Sequence, residues 1–255
     1  MEKLSVVIIT FNEEHAIGRC IDSVKSIADE IIVLDSYSTD RTVEIAIEKG
    51  ARVTRQKFAG YIEQKNDALA LASFPFVLSL DADEAVDEQL GQSISQIKSS
   101  FPSPAYTMNR CTNYCGQFIR HGSWYPDKKL RLFDKRIARW GGINPHDKVI
   151  MDKAAQAIHL KGDILHFSYR SVDEHVQQNN RFSTISAAAI YGLGKRTNLF
   201  KIVINPFWAF LQSYFVRAGF LDGFYGFVIA INIAHLTFLK HVKLYLLQKP
   251  PEIVS

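Results

Sequence analysis

Phe74-Pro75-Phe76-Val77-Leu78-Ser79-Leu80-Asp81-Ala82-Asp83-Glu84 contains an apolar run, Phe76 to Leu80, that empties directly into two aspartates one residue apart. A short apolar run between a proline and an acidic turn has the length and composition of a buried strand. In α/β sheets, ligands bind in the crevice outside the carboxyl ends of the strands. Carboxylates placed there are the hard oxygen ligands that a divalent cation and a diphosphate require. A solvated acidic turn capping the next helix would look the same, so the surroundings of the pair decide.

Those surroundings alternate strand and helix patterns over the first hundred residues. Leu4 to Thr10, Glu30 to Leu34 and Ala51 to Thr54 are apolar or β-branched strand candidates. Glu13 to Ile27 carries Ile17, Cys20, Ile21 and Val24 at three- and four-residue steps, the spacing of one helix face. Thr39 to Lys49, closed by Gly50, and Ile62 to Ala72 are two further helices. Continuous Val, Ile and Leu strands between amphipathic helices predict a mainly parallel, Rossmann-like sheet covered on both faces. No Gly-x-Gly-x-x-Gly follows the first strand and there is no Walker loop, so phosphate must be held by another device.

The chain has 255 residues, 47% hydrophobic and 22% charged, enough for one large domain or a domain with an appendage. Its net charge of +4 is too weak to argue for nucleic acid but suits an anionic membrane surface. Cys20, Cys111 and Cys115 make no even disulfide framework, which favours a reducing compartment. Cys111, Cys115 and His121 lack both a common zinc spacing and a fourth ligand. The first residues run straight into a strand without the apolar core of a signal peptide, so a cytoplasmic location is expected.

From about Pro102 to Phe167 the pattern is less regular. It holds strand candidates Ala105 to Asn109 and Leu130 to Phe133, and the polar cluster Asn144-Pro145-His146-Asp147-Lys148. Such loops beyond a parallel sheet are where acceptor sites are often built. Ser171-Val172-Asp173-Glu174 is a capping box opening a helix to about Tyr191, ended by Gly192 and Gly194. Leu199 to Val216 and Gly223 to Leu247 are apolar over most of their circumference, and Pro206 should kink the first or start a new helix. Asp222, Asn232 and His235 interrupt the roughly 20 apolar residues that a spanning helix needs. Two interfacial helices in the membrane surface are expected, with packing on the catalytic domain or on a second subunit as the other reading.

Three segments join Asp81 and Asp83: Val7 to Glu14, Val33 to Thr42 and Gly60 to Leu69. If all strand ends share one edge, their polar groups converge on one crevice. Each has a plain alternative: Asn12 and Ser38 as helix caps, Asp35 as a turn former, Lys65 as a surface charge. Together these motifs resemble the inverting family 2 glycosyltransferases of the GT-A fold, over about residues 4–150. The resemblance implies an α/β fold, with a Rossmann-like GT-A nucleotide-sugar-binding domain over 1–170 and a C-terminal helical, membrane-associating extension over 171–255. It implies that Thr10, Asn12 and Glu14 border the nucleotide, that Asp35 receives the uracil edge, and that Lys65 lies near the base or diphosphate. Asp81 would approach the ribose, and Asp83 would ligate Mn²⁺ or Mg²⁺. Where the family commonly has Asp-Asp-Gly-Ser after the second strand, this chain has Asp35-Ser36-Tyr37-Ser38.

Lys129 to Phe133, His146-Asp147-Lys148 and Gly219 to Gly223 are similar to the lipopolysaccharide-core β-1,4-glucosyltransferase branch, whose usual His-Glu pair is His146-Asp147 here. That narrower resemblance implies a UDP-sugar donor, a lipid-linked or lipopolysaccharide-core heptose acceptor, and work at the inner-leaflet membrane surface on the cytoplasmic side, without nucleic acid. Inversion needs a general base opposite the leaving group. Asp147 is the candidate, with His146 positioning it or the acceptor, and Asp127 and Glu84 as alternatives. A polyprenyl-phosphate sugar synthase and a non-catalytic membrane scaffold are the rival readings.

Overall fold

The computed structural model describes residues 2–143, 146–152 and 156–249, without the side chains of Ile143 and His146. The chain forms two compact units, Met1–Cys111 with Asp127–Phe167, and Thr112–Pro126 with Ser168–Ser255.

In the first unit, β1 (Leu4–Thr10), β2 (Glu30–Asp35), β3 (Arg52–Arg55) and β4 (Phe76–Asp81) are mutually parallel in the order β3-β2-β1-β4. The sheet continues through β8 (Asp127–Asp134), β6 (Ala105–Tyr114), β11 (Ile158–Tyr169) and β5 (Glu84–Val86), with β8 antiparallel to β4. Leu4, Val6 and Ile8 pack into one core with α1 (Ile17–Val24) and α4 (Glu88–Ile97). Val7, Ile32 and Leu34 point the other way, into a second core with α3 (Tyr61–Leu71). Period-two alternation with both sets buried is why these strands read as continuous apolar runs. Fully burying Ile17, Ile21 and Val24 of α1 contributes about 1.5–3 kcal/mol each.

Two helices begin later than their apolar spacing suggests, for one physical reason. Residues 12–14 and 39–41 are occupied in bonding each other. The Glu13 N–H donates to Thr42 Oγ1 and the Glu14 N–H to Asp40, while the Thr39 N–H donates to Asn12 Oδ1 and the Arg41 N–H to Glu14. Consequently α1 starts at Ile17 and α2 (Thr42–Glu48) at Thr42. Asn12, in the left-handed region at φ 54°, joins the two turns and caps neither helix.

Outside the main sheet, β9 (Ala138–Ile143) and β10 (His146–Met151) form an antiparallel hairpin that pairs Asp147 with Gly142. Asn66 on α3 docks it: its amide donates to the Trp140 carbonyl and accepts the Trp140 N–H, both at 3.0 Å.

In the second unit β7 (Gln117–Phe118) pairs with the end of β6. Ser171 caps α5 (Val172–Gly192) by accepting the Glu174 N–H, while the Glu174 carboxylate accepts the Arg170 N–H. Asn198 caps α6 (Leu199–Leu211), which runs through Pro206 without restarting and passes into a π-helical turn over Gln212–Val216. Then α7 (Gly223–Leu247) packs against both α5 and α6. Tyr114, Trp124, Tyr169 and Tyr225 build an aromatic cluster in which His175 is 2% exposed and bonded to the Tyr114 hydroxyl.

Burial lowers the His175 pKa to about 4, against about 6.5 in an unfolded chain. Between those values the unfolded chain holds the extra proton, so stability rises with pH there and is lost as pH falls from about 6.5 toward 4. The full effect is on the order of 3 kcal/mol. Urea unfolding followed by Trp fluorescence at pH 7 and pH 5 should show this loss, and His175→Phe should flatten it. An equal pH dependence in the variant would assign the loss to other groups.

Candidate active site

A pocket of about 700 Å³ opens at the carboxyl ends of β1, β2 and β4, within the usual size of a small-molecule site. Asp81 and Asp83 line it, as the apolar-run-to-aspartate pattern led one to expect, and so does Thr10, which the resemblance named. Asn12 and Glu14 do not. Their side chains are taken by the turn-to-turn bonds described above. Asp35 is fully buried and accepts the Ser38 hydroxyl and N–H, while its neighbours Ser36 and Tyr37 line the pocket.

Lys65 is no surface charge. Its side chain is 5% exposed, and its ammonium lies 3.2 Å from Asp81 Oδ1 and 2.8 Å from Asp147 Oδ2, above the Trp140 ring. The β9–β10 hairpin thus brings Asp147, 66 residues after Asp81 in the chain, to the same cation. Arg131 adds a second buried cation, 3.2 Å from Asp81 and 2.8 Å from Glu84. Burial works against the charge of Asp81, but Lys65 and Arg131 outweigh it and hold its carboxyl well below the ordinary carboxylate range. Burial likewise opposes the charge on Arg131, and Glu84 and Asp81 more than restore it. Glu84 is wholly enclosed and accepts both Arg131 and the Asp81 N–H, whereas Asp127 is tied to Arg110 and Lys129. The backbone of His146 belongs to β10; its side chain lies outside the described residues.

Three features escaped the sequence reasoning. Pairing of β11 with β5 sets His166 opposite Glu84, and its Nε2 comes within 3.2 Å of Asp83 Oδ2. A signal existed: His166 follows the apolar pair Ile164-Leu165, three residues before β11 ends. Second, Phe11, Tyr37, Phe58 and Tyr61 line the pocket yet remain 43–56% exposed. Exposed rings gathered around a polar cavity form a platform for a flat base, each stack worth about 1–3 kcal/mol. Third, Thr10 Oγ1 and both polar atoms of the Gln64 amide are buried in the pocket wall without a hydrogen-bond partner among the described residues. Buried polar atoms are normally paired, so these three call for a polar ligand.

Among the described residues no three His, Cys, Asp or Glu side chains gather as metal ligands. Asp83 and His166 converge as two, both partly exposed to the pocket. Such a pair fits a Mn²⁺ or Mg²⁺ ion that takes its remaining ligands from substrate phosphates and water.

The profile of glycosyl transferase family 2 matches residues 5–152. A glycosyltransferase of Rickettsia typhi is 36% identical over 96% of this chain and 87% of its own. The lipopolysaccharide core biosynthesis glycosyltransferase LpsC of Rhizobium meliloti is 30% identical over 95% of this chain and 92% of its own. Among solved structures, glucosyl-3-phosphoglycerate synthase from Mycobacterium tuberculosis, in complex with Mn²⁺ and UDP-glucose, is 28% identical over 44% of each chain. The TM-score of that superposition is 0.37.

Removing one partner of a buried ion pair leaves the other uncompensated, at about 3–5 kcal/mol. Asp81 and Asp147 keep some water, so Lys65→Met should cost about 3 kcal/mol, the lower end of that range, read as a drop in the calorimetric midpoint. An unchanged midpoint would show that the bridge contributes nothing to stability.

Proposed function

The chain belongs to glycosyl transferase family 2, and we propose that it moves a hexose, glucose by preference, from a UDP-sugar to a hydroxyl of a lipopolysaccharide inner-core heptose or similar membrane-bound glycan, with inversion. The observation that carries this reading is the Lys65 ammonium shared by Asp81, on the donor pocket, and Asp147, on the hairpin. LpsC, alike over nearly the whole chain and named for lipopolysaccharide core biosynthesis, supports the acceptor class.

In this mechanism the uracil ring stacks among Phe11, Tyr37, Phe58 and Tyr61, and the orphaned polar atoms of Thr10 and Gln64 bond the nucleotide. Asp81 faces the ribose, held ionised by its two cations. Asp83 and His166 would hold the divalent cation, which stabilises negative charge on the departing diphosphate. The acceptor oxygen bonds to the anomeric carbon as the bond from that carbon to the diphosphate oxygen breaks, and UDP leaves with the electron pair. The hydroxyl proton passes to Asp147. Lys65 takes Oδ2 of that carboxylate, leaving Oδ1 to receive the proton. The 171–255 region is assigned to the membrane, placing the enzyme peripherally on the cytoplasmic face of the inner membrane, beside its acceptor.

UDP release measured over a panel of UDP-sugars with Mn²⁺, with and without a heptose-containing core acceptor, tests the reaction. Asp147→Asn should keep donor binding and lose roughly 10²–10⁴-fold in transfer, the usual scale of general-base catalysis. Native-rate transfer by that variant removes Asp147 as base and favours a lipid-phosphate acceptor, which needs none. Asp83→Ala and His166→Ala should each abolish Mn²⁺-dependent UDP release; if release persists in both, the cation site is elsewhere.

A further inference from the structure

Between residues 175 and 249 the sequence carries eight Lys and Arg but one acidic residue, Asp222, in a chain whose total charge is only +4. Asp222 is buried, and its carboxylate accepts the N–H groups of Arg120 and His121 and pairs with His121 Nδ1. The charge left on the surface of this segment is therefore cationic.

The same segment wears its apolar side outward. Among the described residues none of α6 is buried. Phe200, Val203, Phe207 and Trp208 on α6, and Val216 and Phe224 beyond it, are 55–73% exposed. What polarity α6 has in its middle faces inward, where Asn205 Nδ2 bonds His241 Nε2 of α7 at 2.9 Å. A helix with its polar group inside and its rings outside is built for an apolar medium.

By length and composition Leu199–Val216 and Gly219–Leu247 could each cross a bilayer. The bonds of α7 argue against it. Asn179 on α5 donates to the Asn232 carbonyl on α7, and Lys243 donates to the Asn180 carbonyl and to the Ser183 and Thr184 hydroxyls. Near the end of α7, Gln248 accepts the Thr197 N–H. α5 therefore accompanies α7 along its length, and α5 carries exposed Asp173, Glu174 and Arg181. Taking α7 across a bilayer would drag those charges toward hydrocarbon or break the bonds.

We propose that α6 and the following turn lie in the plane of an anionic bilayer. Phe200, Phe207 and Trp208 enter the boundary between headgroups and acyl chains, and Lys195, Arg196, Lys201 and Arg217, all exposed, meet lipid phosphates. A second copy fits poorly, because a two-fold contact would set this cationic surface against itself. The inference deepens the membrane-bound acceptor of the proposed reaction, but the binding itself needs neither donor nor acceptor.

The full chain is mixed with vesicles of phosphatidylcholine alone or with phosphatidylglycerol, without any UDP-sugar. Sedimentation should show at least about tenfold tighter binding to the anionic vesicles, since each lysine or arginine near such a surface contributes about 1 kcal/mol. Raising salt from about 0.1 M to about 1 M shortens screening from about 10 Å to about 3 Å and should erase that preference. Phe207→Ser with Trp208→Ser should weaken binding to both vesicles, and Lys195→Glu with Lys201→Glu only to the anionic ones, with unchanged circular dichroism. The fluorescence lost in Trp208→Phe should be quenched by shallow and not deep bromolipids, and alkaline carbonate should strip the protein. Three results overturn the proposal: equal binding to both vesicles, deep quenching with carbonate resistance, or no vesicle binding beside a dimer that Trp208→Ser dissolves. Failed UDP release with intact vesicle binding would sink the catalytic reading alone.

Discussion

One ammonium group organises the catalytic half of this molecule. Lys65 is withdrawn from water between Asp81 and Asp147 and laid over Trp140. A lysine loses much hydration in such a place, and only close opposite charge compensates for it. Its position therefore constrains three elements together: α3 that carries it, β4 that ends in Asp81, and the hairpin that carries Asp147. Arg131 extends the alternation of sign to Glu84, so the strand end and the hairpin face one another across neutralised charge. The carboxyl end of β4 and the β9–β10 hairpin are one electrostatic unit.

The pocket beside this network divides its tasks by chemistry. Exposed rings gather around the cavity, and unpaired polar atoms sit in the wall behind. The two turns above are bonded to one another through Asn12, Glu14, Thr39 and Arg41, so that side of the pocket is ordered before any ligand arrives. Ordering completed at folding does not have to be repeated at binding.

The parallel half of the fold was legible because its strands are apolar on both faces and its helices keep strict spacing; β1 and α7 have the bounds the pattern indicates. Asp81 ends β4 and Asp83 follows in the next turn, so the pattern set both at a strand end, whereas Thr10, the last residue of β1, was named through the resemblance. Lys65 was named near the base or diphosphate through the family resemblance alone; its helix gave no sign of burial, since α3 buries Gln64 and Lys65 beside Ala68 and Leu69 and so blurs its own periodicity. Asn12 and Glu14 were named through the family resemblance, and their bonds to residues 27 positions away are ones no local pattern reveals. His166 reaches Asp83 only through the antiparallel register of β11 on β5, and the ion pairs of Asp147 and Glu84 are likewise products of tertiary packing.

The amide of Asn66 binds both the N–H and the carbonyl of Trp140, as a neighbouring strand would. A two-stranded ribbon ordinarily leaves such groups open, and an open edge is a template on which another chain can add itself. Here a single side chain closes that edge at Trp140. Asn66 thus takes at this edge the place that a third strand would take.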